Sequence, residues 1–337
     1  MATAARTSSV ASRLEPGYQN YFQIGGVTVQ LFGNRRADVE LLPALQPFRI
    51  ESVGPDIRVC VQWVRSLPAE RRLALFDSGT TWRAYENGVG LQFDFNSPAL
   101  GCEPYKRLRI DGRFGEATLQ MSRESFQNCP READPLEYPL DELLIMHRLT
   151  QEKAIELHGS GIVRANGEAN LFIGHSGAGK STTTRLWTAV EDVEVLSDDR
   201  IIVRRDGDAS FGETPCDAGP GARERGVLRF AQCDKKCVSM RMYGTPWHGE
   251  AMFASPNSAL LTRIFVIEHG HGNVITPLSA SHAVAELFAR SFVPFHRHEY
   301  VDSALEFLQE LVHAVPVYRY AFEPDQRAVE KIRNFHD

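Results

Sequence analysis

The sequence predicts two modules: a mostly antiparallel β (α+β) module over residues 19–127 and an α/β domain over 139–337. Three observations carry this. Short stretches alternating apolar and polar residues crowd the first third, as strands with one covered and one wet face do. Prolines and charges then accumulate in NCPREADPLEYP (128–139), with residues 128–138 reading as a linker. Beyond it, a short, mostly apolar strand, a glycine-rich loop and a helical stretch follow one another between 169 and 190, the strand–loop–helix unit of α/β proteins.

Taken in order, residues 1–18 read as a flexible arm. Their first part, MATAARTSSVASRL, is small, polar and acid-free; a transit peptide has that composition too, but a frayed terminus fits better. Strands are expected at Val27–Phe32, Ile57–Trp63, Leu91–Phe95, Leu108–Ile110 and Ala117–Met121, with Asp111-Gly112 as a hairpin turn. Pro139–Met146 reads as a helix with proline in its first turn. Ala154–Val163 reads as a strand, and Asn166-Gly167 turns the chain into the strand Ala169–Ile173. A helix over Ser181–Val190 and strands at Val193–Leu196, Ile201–Val203, Ser239–Tyr243, Thr262–Glu268 and Val317–Tyr320 follow. Helices are expected at Ala280–Arg290, Asp302–His313 and Asp325–Asn334. Gly, Pro and charge dominate the region near 206–238, which reads as an excursion from the domain.

Composition narrows the function classes. The chain has 337 residues, 43% hydrophobic and 24% charged, an ordinary globular balance. A net charge of −6 argues against nucleic acid as a partner. No apolar run approaches a membrane span, so a cytoplasmic location is the expectation. Six cysteines, at 60, 102, 129, 216, 233 and 237, include no C-x-x-C pair. Cys233 and Cys237, even with Cys216, fall one ligand short of a zinc site.

The chemistry concentrates in Gly174-His175-Ser176-Gly177-Ala178-Gly179-Lys180-Ser181-Thr182, which fits G-x-x-x-x-G-K-[ST] without a mismatch. Such a loop wraps backbone N–H groups around phosphate oxygens at a helix N-terminus. Lys180 would reach the β- and γ-phosphates, and Ser181 would offer its hydroxyl to Mg²⁺. No Asn-Lys-x-Asp guanine reader is present, which leaves ATP as the default nucleotide. Asp198 and Asp199 end a strand some twenty residues on, where an α/β sheet would bring carboxylates to the phosphates. Neighbours on a strand end point different ways, so one can face the metal and the other an acceptor. His158, ending the strand before the loop strand, is a candidate for proton transfer. Gly244-Thr245-Pro246-Trp247-His248-Gly249-Glu250 mixes turn formers with His248 and Glu250, two candidates for contacting the acceptor. His296-Arg297-His298 has the wrong spacing for a metal site on one strand face and reads as a solvated turn.

Leu157-His158-Gly159, then GHSGAGKST, then Leu196-Ser197-Asp198-Asp199-Arg200 together resemble the HPr kinase/phosphorylase family, closely over about residues 140–205 and loosely beyond. The segment 244–250 looks like its divergent relatives, and the Met-Asn-Leu-Phe-Gly element of the true enzyme is absent. The resemblance implies a P-loop kinase domain of that type, distantly sharing the fold of ATP-dependent phosphoenolpyruvate carboxykinases. It implies His158, Lys180 and Asp198 acting on a serine hydroxyl, Asp198 as base, with Ser181 and Asp199 near the metal, and it makes a homo-oligomer an option. The leading expectation is therefore an ATP- and Mg²⁺-dependent kinase that phosphorylates a hydroxyl on a peptide, a protein or a small molecule. Two alternatives stay open: a nucleotide-binding regulator without transfer activity, and a carboxykinase-like enzyme whose Arg200, Arg263 and Arg290 clamp a small carboxylate.

Overall fold

Alternation in the first third produces one nine-stranded sheet. Its strands are β1 (Tyr18–Ile24), β2 (Val27–Gly33), β3 (Arg49–Ile50), β4 (Ile57–Val64), β5 (Phe76–Asp77), β6 (Trp82–Glu86), β7 (Gly90–Phe95), β8 (Lys106–Asp111) and β9 (Glu116–Ser122). They run in the order β3-β1-β2-β4-β9-β8-β7-β6-β5. The sheet is antiparallel except at its centre, where β4 pairs parallel with β2 and with β9. This computed structural model describes residues 17–88, 90–127, 133–207 and 238–336. The excursion near 206–238, most of the N-terminal arm, and Cys129, Cys216, Cys233 and Cys237 lie outside the described residues.

After a short helix α1 (Arg123–Phe126), the chain reaches α2 (Leu140–Leu149). The described part of the expected linker packs down: Leu136 is buried in the core. Helix α2 carries Leu140, Leu143, Leu144, Ile145 and Leu149 inside, together with Asp141, Glu142 and His147. A helix buried nearly all round lies between two layers, and α2 does. Its His147 ring meets Phe93 and Phe114 of the first module. Its Glu142 meets Arg200 of the second.

The second module follows as β10 (Ala154–Arg164), β11 (Ala169–Ile173), α3 (Lys180–Val190), β12 (Val193–Ser197), β13 (Arg200–Arg205), β14 (Met240–Tyr243), β15 (Ser258–Leu260) and β16 (Arg263–His269). It closes with β17 (Val274–Pro277), α4 (Ala280–Phe288), β18 (Ser291–Phe292), α5 (His298–Ala314), β19 (Val317–Phe322) and α6 (Gln326–Arg333). Every expected element forms, with ends shifted by a few residues. The sheet is mixed, however: only β11, β16 and β19 run parallel, and β10 is antiparallel to β11, β12, β13 and β18. The carboxylate-bearing strand therefore reaches the loop across an antiparallel strand.

One apolar core runs through both modules, from Val29 and Val59 to Leu157, Ile202 and Leu308. The approach is close at Gly25, where a Cβ would meet Ile202 Cδ1 at 2.5 Å, and Arg204 Nη1 donates to the Gly25 carbonyl at 2.8 Å. Among the described residues no helix is long and apolar enough to cross a membrane.

Candidate functional site

Strand β10 organises the site by changing neighbours half-way. Residues 154–158 pair with β13 on one edge, and 156–157 with β18 on the other. Residues 159–163 pair with β11, and 161–164 with β12. Both edges break at the same level. On one, Asp198-Asp199 joins β12 to β13; on the other, β11 has just ended opposite Gly159 and the glycine loop begins. Backbone hydrogen bonds pin the crossing: His158 N–H donates to the Arg290 carbonyl (2.8 Å) and Gly159 N–H to the Asp199 carbonyl (3.0 Å). A break in strand pairing is where an open sheet offers room for a ligand.

The loop takes its shape from its glycines. Gly177 and Gly179 have φ of 80° and 99°, left-handed values that cost other residues roughly 1–2 kcal/mol. At Gly179 a Cβ would also stand 2.5 Å from the Phe322 ring. His269 stacks on Phe322 and places Nε2 3.0 Å from the Gly177 carbonyl oxygen, bracing the loop from behind. His175, Ser176 and Gly177 are exposed, while Ala178 and Lys180 are buried. Lys180 Nζ donates to the Gly174 carbonyl at 2.9 Å and the His175 carbonyl at 3.3 Å. Burial pushes the Lys180 ammonium down from its usual range; the Asp199 charge opposes this, and Arg200 and Arg290 add to it. Ser181 and Thr182, in the first turn of α3, are half-buried. Ser160 and Thr184 hydroxyls meet at 2.8 Å, so α3 lies on the face of β10 from which Ser160 and, by alternation, His158 project.

The two aspartates part company because Ser197 shapes the turn. Its Oγ accepts from the N–H groups of Asp199 (3.3 Å) and Arg200 (3.2 Å) and donates to the Trp247 carbonyl. Asp198 is only 1% exposed. Its Oδ1 accepts from Gly249 N–H (2.9 Å) and Phe253 N–H (3.2 Å), and its Oδ2 from Ala251 N–H (2.8 Å). That occupies three of a carboxylate's roughly four acceptor positions. Asp199 instead places Oδ1 2.9 Å from His158 Nε2, while Oδ2 accepts from Arg200 Nη1. Burial would raise the Asp199 carboxyl, but His158 and the Arg200 and Lys180 charges outweigh it, and the group titrates below its usual range.

Geometry corrects several expectations. Asp198 is unsuited to accept a proton, because its oxygens anchor the 249–253 loop. Within 244–250 it is the backbone that works: Thr245 Oγ1 donates to the Arg200 carbonyl, and a Cβ on Gly249 would stand 3.0 Å from Asp198 Oδ2. The His248 ring faces the Gly249 carbonyl at 3.2 Å, and Glu250 is exposed. Arg263 sits opposite Asn170, at the far end of β11 from the loop, and pairs with Glu168 at 2.7 Å. The three-arginine clamp is therefore not assembled, although Arg200 and Arg290 both act on Lys180. His296 is no solvated turn residue: its ring lies 5.2 Å from His147, and its Nε2 is buried.

Arg200 has a setting that the sequence reading missed. Its Nε donates to Glu142 at 2.8 Å and lies 3.5 Å from Glu156, and its guanidinium stacks 4.2 Å above Phe292. The signal was there, in acids interrupting the apolar runs LDELL and AIEL. Cavity size does not mark this region, since two hollows of about 660 Å³ each lie in the first module, against Trp63 and against Gln19. No family model and no curated protein matches this chain.

Proposed function

We propose that this protein is an ATP- and Mg²⁺-dependent phosphotransferase acting on a hydroxyl acceptor, a serine of a peptide or protein or a small-molecule alcohol. One observation carries the reading: the break in pairing along β10 brings the exposed glycine loop, with Lys180 buried beneath it, to the level of Asp199, and Asp199 holds His158. The motif resemblance to HPr-kinase-like proteins supports it.

The residues suit the ligands. Backbone N–H groups around 175–181 and the start of α3 would take the triphosphate, with the Lys180 ammonium turning from its own carbonyls to the β- and γ-phosphates. Ser181 and Asp199 are hard oxygen donors of the kind Mg²⁺ prefers. Bound there, Mg²⁺ would supply neutralisation of the phosphate charge.

Proton transfer falls to His158 in place of Asp198. Asp199 accepts from Nε2–H, which fixes the tautomer and leaves the other ring nitrogen as the base. The hydroxyl proton passes to His158 as the acceptor oxygen bonds to the γ-phosphorus. The bond from the γ-phosphorus to the β,γ-bridging oxygen breaks, and its electron pair leaves with ADP. In a loose transition state of this kind, positioning counts for more than base strength.

Labelled ATP, with serine peptides and simple alcohols as acceptors, tests the assignment. His158→Asn and Asp199→Asn should each lose about a hundredfold or more in transfer, while Asp198→Asn keeps its turnover per folded molecule. Unchanged transfer in Asp199→Asn would remove the pair from the chemistry. Absence of Mg²⁺-ATP binding by calorimetry would remove the nucleotide itself.

A further inference from the structure

Glu156 plays no part in the reaction above, yet it is fully buried on β10, two residues before His158 and on the same face. Around it stand Glu142 and Asp141 from α2, Arg200 from β13, Phe292 from β18 and Tyr300 from α5. The charges do not balance. Arg200 is one cation, and it touches three carboxylates: Glu142, Glu156 and Asp199. An unpaired carboxylate in a site this dry would cost several kcal/mol, so one of the acids carries a proton. The geometry selects Glu156. Glu142 has the short contact with Arg200, and Asp199 has both Arg200 and His158. Neither oxygen of Glu156 has a hydrogen-bond donor, although the Glu142 carboxylate lies against it. A proton between two facing carboxyl oxygens is the donor that satisfies both.

We propose that Glu156 is held as a carboxylic acid that donates to Glu142, and that it is thereby a positioning residue: it steadies Glu142, which holds Arg200, which holds Asp199 toward His158. Burial and the neighbouring Glu142 charge both favour the acid form. The protonation rests on the burial of Glu156, its donorless oxygens and the one Arg200 it shares with Glu142; its consequence for nucleotide handling rests on the proposed function.

The test uses the full chain. An infrared difference spectrum at neutral pH, wild type minus Glu156→Gln, should contain the carbonyl band of a protonated carboxylic acid. Its absence would mean that Glu156 is ionised, and the proposal would be wrong. Binding of a fluorescent ATP analogue with Mg²⁺ then separates positioning from filling. Glu156→Gln still offers an N–H to Glu142 and should bind as the wild type does. Glu156→Leu fills the space without a donor and should weaken binding about tenfold. Equal affinities in the two variants would overturn the positioning role. If Glu156→Leu does not fold, the infrared band and an unimpaired Glu156→Gln carry the decision. If the wild type binds no analogue, the proposed function fails, while the band still decides Glu156.

Discussion

Two histidine neighbourhoods lie at opposite ends of α2's influence, and they treat the same side chain in opposite ways. His158 is half-buried, bonded to an ionised aspartate and set among Lys180, Arg200 and Arg290. His147 and His296 sit in an aromatic cage with Phe93, Phe114 and Tyr300. Burial drives His147 down to about 3 and His296 to about 4. The first setting can hold and move charge; the second expels it. A histidine's role here follows from whether a carboxylate or a ring stands opposite, which no single-residue motif records.

The sharpest way to break this contrast is to make one chemical change at two adjacent positions. Asp198→Asn leaves one oxygen where three N–H groups converge and turns an NH₂ toward at least one of them. It should cost about 2–4 kcal/mol of stability. Asp199→Asn, half-buried at the site, should change stability by less than about 1 kcal/mol while lowering the proposed transfer about a hundredfold or more. Urea unfolding of both proteins measures the difference. Comparable losses would mean that the pair is not divided into an anchor and a functional acid.

Much of this division was hidden in the sequence for a physical reason. Periodicity and turn residues fixed the elements well, because every strand of β10's neighbourhood has one register that buries its apolar face. The loop was legible because its chemistry is local, nine consecutive residues. What Asp198 and Asp199 each face depends on Ser197 and on the loop fifty residues later, a long-range fact that adjacency conceals. His296 read as solvated for the same reason: its cage is built from both modules. Glu142 and Glu156 were legible as anomalies, acids inside apolar runs, but only Arg200 explains them.

The aromatic cage yields a pH prediction of the opposite character to the His158–Asp199 pair. Both histidines have folded values below the usual 6.5, so the unfolded chain binds more protons in the window between them. Their stabilisation is therefore full above about pH 6.5 and is lost as pH falls toward 4 and 3. For the fully buried His147 the loss by about pH 5 is near 2 kcal/mol. Asp141, buried against Trp247 and raised to about 7, runs the other way: its contribution is full at low pH and fades as pH rises toward 7. The two windows overlap between about pH 4 and 6.5 with opposite slopes, so across this range His147→Phe should flatten the rise of melting temperature with pH and Asp141→Asn should steepen it. An acid limb untouched by His147→Phe would place the cage's protons elsewhere.

The smallest effect probes the anchor from its other side. Asp198 draws in the N–H groups of 249, 251 and 253, and Met252, between the last two, takes φ of 62° and is 67% exposed. A left-handed residue with a Cβ costs roughly 1–2 kcal/mol, and glycine would return part of that to its own greater freedom when unfolded, about 0.5–1 kcal/mol. Met252→Gly should thus stabilise the fold by about 0.5–1 kcal/mol, whereas Met252→Ala, which keeps the Cβ, should leave it unchanged. The gain should also vanish in an Asp198→Asn background, because the strain belongs to the grip of that carboxylate and not to the loop alone. Urea unfolding of the four proteins forms a double-mutant cycle with a coupling near the size of the single effect. Additive energies would show the loop's conformation to be independent of Asp198, and the anchoring role would then have to be given up even if Asp198→Asn is destabilising.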